Sequence, residues 1–322
     1  NMKNYTILAP FDRYYNGVAD FKIQLLPSAG DSDPNVVTRA KSGNLDYGYT
    51  KMVADVQALE GTPGITVTPI DVRYTRLFYL NKFDKKDGSP APLADVRVRQ
   101  ALRYAIDMET ICETLFQGSA VPANALAPDA NLKGGDLNDY NYNPEKAKEL
   151  LAEAGYPDGF TTTFVCPTSG SGNMFPQIMN EYIQKCAEEV GIHIELDMSE
   201  SERVWDVMKV GFKDEYADVG ALNTSFYTMF PNVFQKFAGT GGSFNTGKYS
   251  NPEYDACIEA AYAATDEAES TQQFIEAEKI FTEELPWVIV CNDRNLRVLA
   301  PNVQNFAQSQ TWYVDLTTVT VE

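Results

Sequence analysis

Residues 92–107, PLADVRVRQALRYAID, predict two consecutive capped helices. Asp95 and Asp107 each stand where a carboxylate can accept a hydrogen bond from the first backbone N–H groups of a helix. In the first helix, the apolar positions share one face: Val98, Ala101, Leu102 and Ala105. The same spacing recurs after Asp107, in Met108, Ile111, Cys112 and Leu115. Helices with one apolar face require another layer of structure to cover that face.

The sequence downstream of this stretch has the pattern of an α/β protein. Residues 142–160, YNPEKAKELLAEAGYPDGF, predict a helix with Asn143 as N-cap, Pro144 at its first position and Gly155 just past its end. Residues 174–198 predict a further helix, followed by a strand in which apolar and polar residues alternate. Alternating helices and strands indicate helices packed on a sheet.

The first third of the chain shows strand patterns and one helix. Residues 21–27, 65–72 and 76–81 alternate between apolar and polar, and a helical pattern lies after the first of them. Residues 82–95, KFDKKDGSPAPLAD, are dense in charge, glycine and proline, so we expect the chain to cross between two lobes there. Two lobes also suit 322 residues, since single cores stop growing at about 250 to 300 residues.

Composition excludes several classes of partner. The formal net charge of -19 argues against a nucleic acid, which is bound through clustered Lys and Arg. The longest purely apolar run, residues 287–291, is far shorter than the about 20 residues of a membrane helix. The first residues lack the features of a signal peptide, so any export signal is expected to lie outside this chain. The five cysteines form no CxxC pair, and we expect them to be small buried hydrophobic residues.

The sequence offers little catalytic chemistry. The single histidine, His193, lies between two isoleucines of a predicted strand, where its side chain faces solvent. A zinc site and a catalytic Ser-His or Cys-His pair are therefore not expected, whereas catalysis by carboxylates alone or by a Ser-Lys pair stays open. Residues 242–248 match GxxxxGK, but Tyr249 follows where a phosphate loop needs Ser or Thr. We expect a glycine-rich loop, no cofactor, no metal and no enzymatic activity.

Aromatic and polar residues on expected loops and strand ends are candidates for ligand contact. Tyrosine provides a large contact area with a hydrogen-bonding tip, which suits a cleft that holds a small molecule. The candidates are Tyr47, Tyr49, Tyr79, Asn81, Asn223, Thr224, Ser225, Phe226 and Tyr227.

Several of these segments resemble family 5 of the extracellular solute-binding proteins, the receptors of ABC-type oligopeptide, dipeptide and nickel importers. Residues 92–107 are similar to the family signature F-D-V-R-V-R-Q-A-L-x-Y-A-I-D, and residues 142–160 to its D-P-E-K-A-K-x-L-L-A-E-A-G-Y helix. Residues 248–261, KYSNPEYDACIEAA, resemble its Y-S-N-P-E-Y-D segment, and residues 39–49, RAKSGNLDYGY, its L-x-S-G-E-V-D segment. The matches follow the family's order along the chain.

The resemblance implies an α/β fold of the periplasmic-binding-protein type, type II, with two lobes, mixed sheets and a hinge that the chain crosses twice. The implied crossings lie near Phe83 and Asn292. Lobe one would then consist of residues 1–83 and 293–322, and lobe two of residues 84–292. The family's front portion has no counterpart before Asn1, so we expect lobe one to be incomplete.

The sequence departs from the family in the segment that contacts peptides. Peptide-binding members carry a pattern like G-W-x-A-D-Y-x-x-P, in which the Asp pairs with the α-amine of the ligand. Here Thr224 stands at the Trp and Tyr227 at the Asp. A buried ammonium group without a charged partner costs several kcal/mol, so ordinary free-amine peptides lose their main reason to bind there.

The resemblance implies a monomeric receptor, outside the cytoplasm, that closes on a small peptide-like solute and delivers it to the membrane subunits of an ABC permease. A lipid anchor would hold such a receptor at the cell surface. Two alternatives stay open: the same scaffold with a non-peptide ligand such as a sugar or metal chelate, and a sensory receptor that takes no part in transport.

Overall fold

The computed structural model describes residues 6–13, 21–26, 35–50, 53–127, 137, 140–168, 176–227, 230–307 and 315–322. The chain separates into two compact units. The smaller unit comprises Asn1–Val72 and Arg294–Glu322, and the larger unit comprises Arg73–Asp293. The chain leaves one unit for the other inside two long strands, Thr66–Leu80 and Trp287–Leu299.

In its described residues, the smaller unit contains short strands and the helices α1 and α2. Its elements are β1 (Thr6–Leu8), β2 (Ile23–Leu25), α1 (Val36–Lys41), β3 (Tyr47–Thr50), α2 (Val53–Leu59), the first part of β4 (Thr66–Leu80), the last part of β9 (Trp287–Leu299), β10 (Val303–Gln304) and β11 (Thr320–Val321). Strand β3 pairs antiparallel with residues 296–299 of β9. The buried core of this unit includes Val36, Ala40, Leu59 and Val298.

The larger unit contains the remaining helices and strands. They are α3 (Val96–Ala105), α4 (Met108–Thr110), β5 (Ala120–Pro122), α5 (Pro144–Glu153), β6 (Phe160–Pro167), α6 (Pro176–Glu188), β7 (Ile192–Ser199), α7 (Ser201–Val210), β8 (Val219–Tyr227), α8 (Pro252–Ala263) and α9 (Glu267–Glu284). Short 3-10 segments occupy Pro92–Ala94 and Asp214–Tyr216, and π-helical turns occupy Ile111–Leu115 and Phe234–Ala238.

The strands of the larger unit form a mixed sheet in the order β9-β4-β8-β6-β7, and β5 also pairs with β9. Strand β6 runs parallel to β7 and β8, whereas β4 runs antiparallel to β8. Alternate side chains enter two cores: Phe78 and Leu80 face α3, α5 and α6, while Leu77 and Tyr79 face α7, α8 and α9. Successive side chains of β4 therefore point to opposite faces of the sheet and contribute to both cores.

The predicted helix caps are confirmed. Asp95 Oδ1 accepts a hydrogen bond from the backbone N–H of Arg97 at 2.9 Å, and Asp107 Oδ1 accepts one from Thr110 at 3.0 Å. Asn143 caps α5 in the same way. The helix expected after Asp107 is shorter than its apolar spacing suggests, because α4 gives way after one turn to a π-helical turn.

The predicted place of the first lobe crossing differs from the division in the structure. The patterns at residues 65–72 and 76–81 belong to one continuous strand, β4, and the units divide within it, at Val72 and Arg73 rather than near Phe83. The Pro- and Gly-rich stretch 82–95 instead makes a turn within the larger unit and buries Pro92 and Leu93. The second division, at Asp293 and Arg294, lies next to the predicted Asn292.

Further expectations concern single residues, a loop, membrane-spanning helices and the cysteines. His193 is exposed on β7 between the buried Ile192 and Ile194, which confirms its predicted orientation. Residues 242–248 form turns and loop, as expected, and Phe244 stacks on Phe237 with 5.2 Å between ring centroids. No helix within the described ranges is long and apolar enough to cross a membrane. Four cysteines are buried, and Cys257 is partly buried.

Candidate functional site

The parallel strands of the larger unit end together at one edge of its sheet. Pro167 ends β6 opposite Ser199 of β7, and Tyr227 ends the parallel strand β8. Because β4 is antiparallel to β8, its Tyr74 lies opposite Tyr227 at the same edge. We call this the carboxyl edge. Open α/β sheets bind ligands outside the carboxyl ends of their parallel strands, so the carboxyl edge is the candidate site.

A buried ion pair joins β4 to β9 at the carboxyl edge. Arg76 donates two hydrogen bonds to Asp293, from Nε to Oδ1 at 2.6 Å and from Nη2 to Oδ2 at 3.0 Å. Beside them, the Thr75 hydroxyl donates to Asn292 Oδ1 at 2.9 Å. The side chains of Arg76 and Asp293 are only 0% and 5% exposed. The paired strands are therefore fixed where the chain enters and leaves the larger unit.

The surroundings of Arg76 keep it charged. Burial is the largest single effect and acts to lower the pKa of its guanidinium, but the Asp293 carboxylate and two nearby cysteines together outweigh it, and the pKa is raised. The guanidinium also lies over the ring of Phe116, 4.8 Å from the centroid. A bidentate pair of this kind has a defined geometry, which suits a structural clamp.

A second carboxylate at the carboxyl edge is also paired with arginine. Asp197, near the end of β7, accepts a hydrogen bond from Arg203 Nη2 at 2.7 Å and another from the Ser199 hydroxyl at 2.6 Å. Glu200, the next residue after β7, is exposed. Among the described side chains at this edge, the strand carboxylates Asp197 and Asp293 thus have their charge balanced by arginines.

The predicted contact segment 223–227 is a strand and not a loop. All five residues belong to β8 and pair with β4, whose register continues to the end of β8. Asn223 is fully buried, where its Oδ1 accepts from Asn180 Nδ2 at 3.1 Å and its Nδ2 donates to the Leu77 carbonyl at 3.2 Å. Asn223 therefore connects β8 to α6 and β4.

The next residues alternate between the two faces of β8. Thr224 points toward α7, and its hydroxyl lies 3.8 Å from the sulfur of Met208. Phe226 packs in the core against Phe237 at 4.9 Å between ring centroids. Ser225 lies opposite Arg76 and is 8% exposed. Tyr227 is the last residue of β8, and its side chain is outside the described part of the structure.

Tyr79 and Asn81 are fully buried, and their polar atoms bond the protein itself. The Tyr79 hydroxyl donates to the Phe244 carbonyl, and burial raises its pKa well above the ordinary value. Asn81 Nδ2 donates to the carbonyls of Ala217 and Val219, both at 2.8 Å. Ligand contact by these two residues stays a prediction, but their hydrogen bonds indicate that they hold neighbouring loops in place.

Tyr47 and Tyr49 of the smaller unit share a buried arginine. Tyr49 lies opposite Arg297 across the β3–β9 pairing, and the Arg297 guanidinium is 5.5 Å from its ring centroid. The same guanidinium donates a hydrogen bond to the Tyr47 hydroxyl, whose pKa is nevertheless raised because burial is the larger effect. Tyr47 also packs on Phe306 at 5.1 Å between centroids. Both tyrosines are half-buried.

No group of three or more His, Cys, Asp or Glu side chains that could hold a metal ion occurs in the parts of the chain that the structure describes. The polar groups at the carboxyl edge include amides, hydroxyls, arginine-paired carboxylates and the exposed carboxylate of Glu200. Such groups can bind and orient a solute through hydrogen bonds.

Residues 2–251 match the family described as "Bacterial extracellular solute-binding proteins, family 5 Middle". The chain belongs to this family. Heme-binding protein A of Haemophilus influenzae is 30% identical over 288 residues, which are 87% of this chain and 51% of that protein. Glutathione-binding protein GsiB of Pectobacterium atrosepticum is 28% identical over 221 residues, 67% of this chain and 42% of that protein. The chain spans about half the length of these curated relatives.

The fold of this family 5 protein agrees with a solved structure. The periplasmic binding protein DppA of Helicobacter pylori, which is associated with an ABC transporter and was solved with the peptide STSA, superposes with a TM-score of 0.79. The two are 19% identical, and the match covers 100% of this chain and 61% of that one. The predicted mixed α/β fold of the type II periplasmic-binding-protein class is confirmed.

Sequence reasoning missed the charged residues at the carboxyl edge of this family 5 protein. Arg76 directly precedes the apolar run 77–80, and Asp293 lies two residues after the end of the apolar run 287–291. A charge within or directly after a buried strand requires a partner, because an unpaired buried charge is costly. The opposite charges of Arg76 and Asp293 were the signal in the sequence that could have predicted this ion pair. Arg297, four residues after Asp293, carried the same signal for the smaller unit.

Proposed function

We propose that this family 5 protein captures a small peptide-like solute outside the cytoplasm by closure of two lobes and delivers it to the membrane subunits of an ABC importer. Its membership of a family of extracellular solute-binding proteins supports this most directly. Binding, with no chemical conversion, is consistent with relatives that are themselves named binding proteins. A monomer held at the cell surface by a lipid anchor, or free in a periplasm, is the form we propose.

The chemistry of the carboxyl edge favours a solute that does not depend on a charged α-amine. Thr224 and Tyr227 replace the family's Trp and Asp, which removes the amine's usual carboxylate. The strand carboxylates Asp293 and Asp197 are occupied by Arg76 and Arg203. At either one, a ligand ammonium would share a carboxylate whose charge a guanidinium already balances, so it would gain less than beside an unpaired acid.

The contacts that we propose differ in their roles. Ser225, Tyr227, Tyr47 and Tyr49 are the proposed direct contacts. The other candidates are proposed to shape the site through their contacts in the larger unit: Tyr79, Asn81, Asn223, Thr224 and Phe226.

A thermal-unfolding screen tests the proposal. The panel pairs each short peptide with its N-acetylated form and adds glutathione, sugars and nickel–histidine complexes. A ligand bound at 100 times its dissociation constant adds about 2.7 kcal/mol to stability, which raises the midpoint by several degrees. We expect free and acetylated peptides to raise it equally. A panel in which no solute shifts the midpoint contradicts solute capture.

Variants assign the contacts. Tyr49→Phe and Ser225→Ala each remove one hydroxyl and should weaken binding of a screened ligand by about 3- to 30-fold. Tyr262→Phe, on the exposed face of α8, is the matched control and should bind like the parent protein. If free-amine peptides alone bind, Glu200→Gln should abolish that preference, because Glu200 is the exposed carboxylate beside β7.

A non-peptide ligand is the second candidate. The absent acid at position 227 favours it, and one relative is named for binding heme. Stabilisation by sugars or chelates, with none by peptides in either form, would identify this class. If each bound solute is recovered unchanged after long incubation, the protein captures the solute and does not convert it. If cells that express the protein take up the solute, the protein is a receptor for import and not a sensory receptor.

A further inference from the structure

A cavity lies at the amino ends of the parallel strands of the larger unit, at the opposite end of β6 and β8 from the carboxyl edge. It is lined by the first residues of these two strands, by Glu195 of β7 and by residues 91–93, which belong to the turn after β4. Its volume of about 220 Å³ is below the about 300 to 1,000 Å³ of pockets that hold drug-sized ligands. The cavity, which we call the amino-end pocket, therefore suits a smaller molecule.

Buried hydrogen bonds hold the walls of the amino-end pocket. Asn81, which lines the pocket and is otherwise buried, donates from Nδ2 to the carbonyls of Ala217 and Val219, both at 2.8 Å. Its Oδ1 accepts a hydrogen bond from the Phe83 N–H at 2.9 Å. One side chain thus connects the turn after β4 to the start of β8. Walls that are already fixed reduce the entropy that is lost when a ligand binds.

A β-bulge makes room for the Thr162 side chain beside the amino-end pocket. The register between β6 and β8 shifts after Thr163, which leaves Gly220 without an opposite residue in β6. A Cβ at Gly220 would lie 1.8 Å from Thr162 Oγ1, so a glycine is required where that hydroxyl lies against β8. Bulges re-aim side chains and are frequent beside functional sites. Both residues of this contact line the pocket.

Opposite charges line the amino-end pocket without being paired to each other. In the part of the chain that the structure describes, the side chains of Lys85, Glu195 and residues 161–163 line the pocket and form no hydrogen bond or ion pair with the protein. Asp218, the other acid of the lining, is held by Lys86, whose backbone N–H donates to its Oδ1 at 3.1 Å and whose Nζ lies 3.9 Å from its Oδ2. The pocket therefore offers an ammonium group, a carboxylate and three hydroxyls to a ligand.

We propose that the amino-end pocket binds a compact zwitterion, a free α-amino acid. The Lys85 ammonium and the threonine hydroxyls bind the carboxylate of the ligand, and the Glu195 carboxylate binds its ammonium group. Such charge-assisted hydrogen bonds are roughly twice as strong as neutral ones. The apolar wall at residues 91–93 suits a short aliphatic side chain, as in valine. This ligand is separate from the solute of the carboxyl edge, because the two sites lie at opposite ends of the same strands.

Calorimetric titration of the full chain tests the amino-end pocket. The ligands are L-alanine, L-valine, N-acetyl-L-valine, which lacks the ammonium group, and L-valinamide, which lacks the carboxylate. We expect L-valine to bind and each blocked form to bind at least about tenfold more weakly, because each loses one charge-assisted contact. Blocked forms that bind as tightly as L-valine would overturn the proposal, and so would a chain that binds neither free amino acid.

Variants show where the amino acid binds. Glu195→Gln and Lys85→Met each remove one charge and should weaken L-valine binding at least about tenfold, and Thr162→Val, which keeps the side-chain shape, should weaken it by about threefold or more. The matched controls are Glu259→Gln on α8 and Lys185→Met on α6, both exposed, which should bind like the parent protein. Circular dichroism checks that each variant is folded. If L-valine binds Glu195→Gln and Lys85→Met as tightly as the parent protein, it binds elsewhere and the proposal is wrong.

Discussion

Replacing Asp293 with asparagine tests the clamp at the carboxyl edge. The change keeps the shape of the side chain but removes the charge that balances Arg76, whose side chain is 0% exposed. Two hydrogen bonds of 2.6 and 3.0 Å lose their ionic partner. Removing one member of a buried ion pair costs about 3–5 kcal/mol, because the other charge stays in the interior.

That cost corresponds to a fall of roughly 6–20 °C in the thermal midpoint for a unit of 150–250 residues. Circular dichroism during heating measures it. The double variant Arg76→Met/Asp293→Leu should recover most of the loss, since well-packed apolar residues can replace a buried pair. Glu149→Gln, which breaks the exposed Lys146–Glu149 pair, is the control and should change stability by less than about 0.5 kcal/mol. If Asp293→Asn lowers the thermal midpoint of the parent protein by less than about 2 °C, as the control does, the Arg76–Asp293 pair does not stabilise the fold as proposed.

Four other substitutions probe the fold and are each followed by thermal unfolding. Gly159→Ala should destabilise the protein by more than about 2 kcal/mol, because the new Cβ would lie 1.9 Å from the Gly191 carbonyl oxygen. Gly155→Ala is the comparison: its Cβ would meet no atom within 4 Å, so only about 1 kcal/mol of backbone strain is expected. Asn143→Ala should cost about 1 kcal/mol through loss of the α5 cap. Burial lowers the pKa of Lys82 from 10.5 to about 7. Between these two pH values the unfolded chain holds a proton on Lys82 that the folded protein has released. The contribution of Lys82 to the free energy of unfolding therefore rises with pH across this window. Lys82→Met should therefore gain more in midpoint at pH 6 than at pH 9, and an equal gain at both contradicts the assignment.

The helices of the larger unit could be predicted from local signals. Asp95, Asp107 and Asn143 occupy cap positions because their short side chains reach the first N–H groups of a helix, which depends on a few adjacent residues only. The alternation around His193 likewise determines which side of β7 faces the core. Such features are encoded within one turn or one strand, so a single sequence reveals them.

The place where the units divide and the nature of residues 223–227 depend on distant pairing. Strand β4 extends through Leu80 because β8 pairs with it residue by residue from Tyr74, and no local signal near Phe83 reports that. The same pairing turns 223–227 from an expected loop into a strand and buries Asn223. Long-range strand register follows from the assembled sheet, so the Pro- and Gly-rich stretch 82–95 carries no local signal of where β4 passes from one unit to the other.

The candidate site was predictable in part. The departure from the family at Thr224 and Tyr227 is visible in the sequence, and both lie on the strand that ends at the carboxyl edge. The pairing of Arg76 with Asp293 was not, because the two residues are 217 positions apart and only the sheet order brings them together. Ion pairing with arginine determines which carboxylates are available to a ligand. The charge distribution of the site could therefore be described only from the structure.

Isothermal titration calorimetry with one matched pair of ligands tests the central claim most directly. The pair is the peptide that raises the thermal midpoint most and its N-acetylated form. We predict dissociation constants within about tenfold of each other, because no carboxylate at Tyr227 holds the amine and the strand carboxylates Asp197 and Asp293 are held by arginines. Acetylation that weakens binding by about a hundredfold or more, equivalent to roughly 2.8 kcal/mol, would show that a carboxylate does hold the amine and would contradict the account.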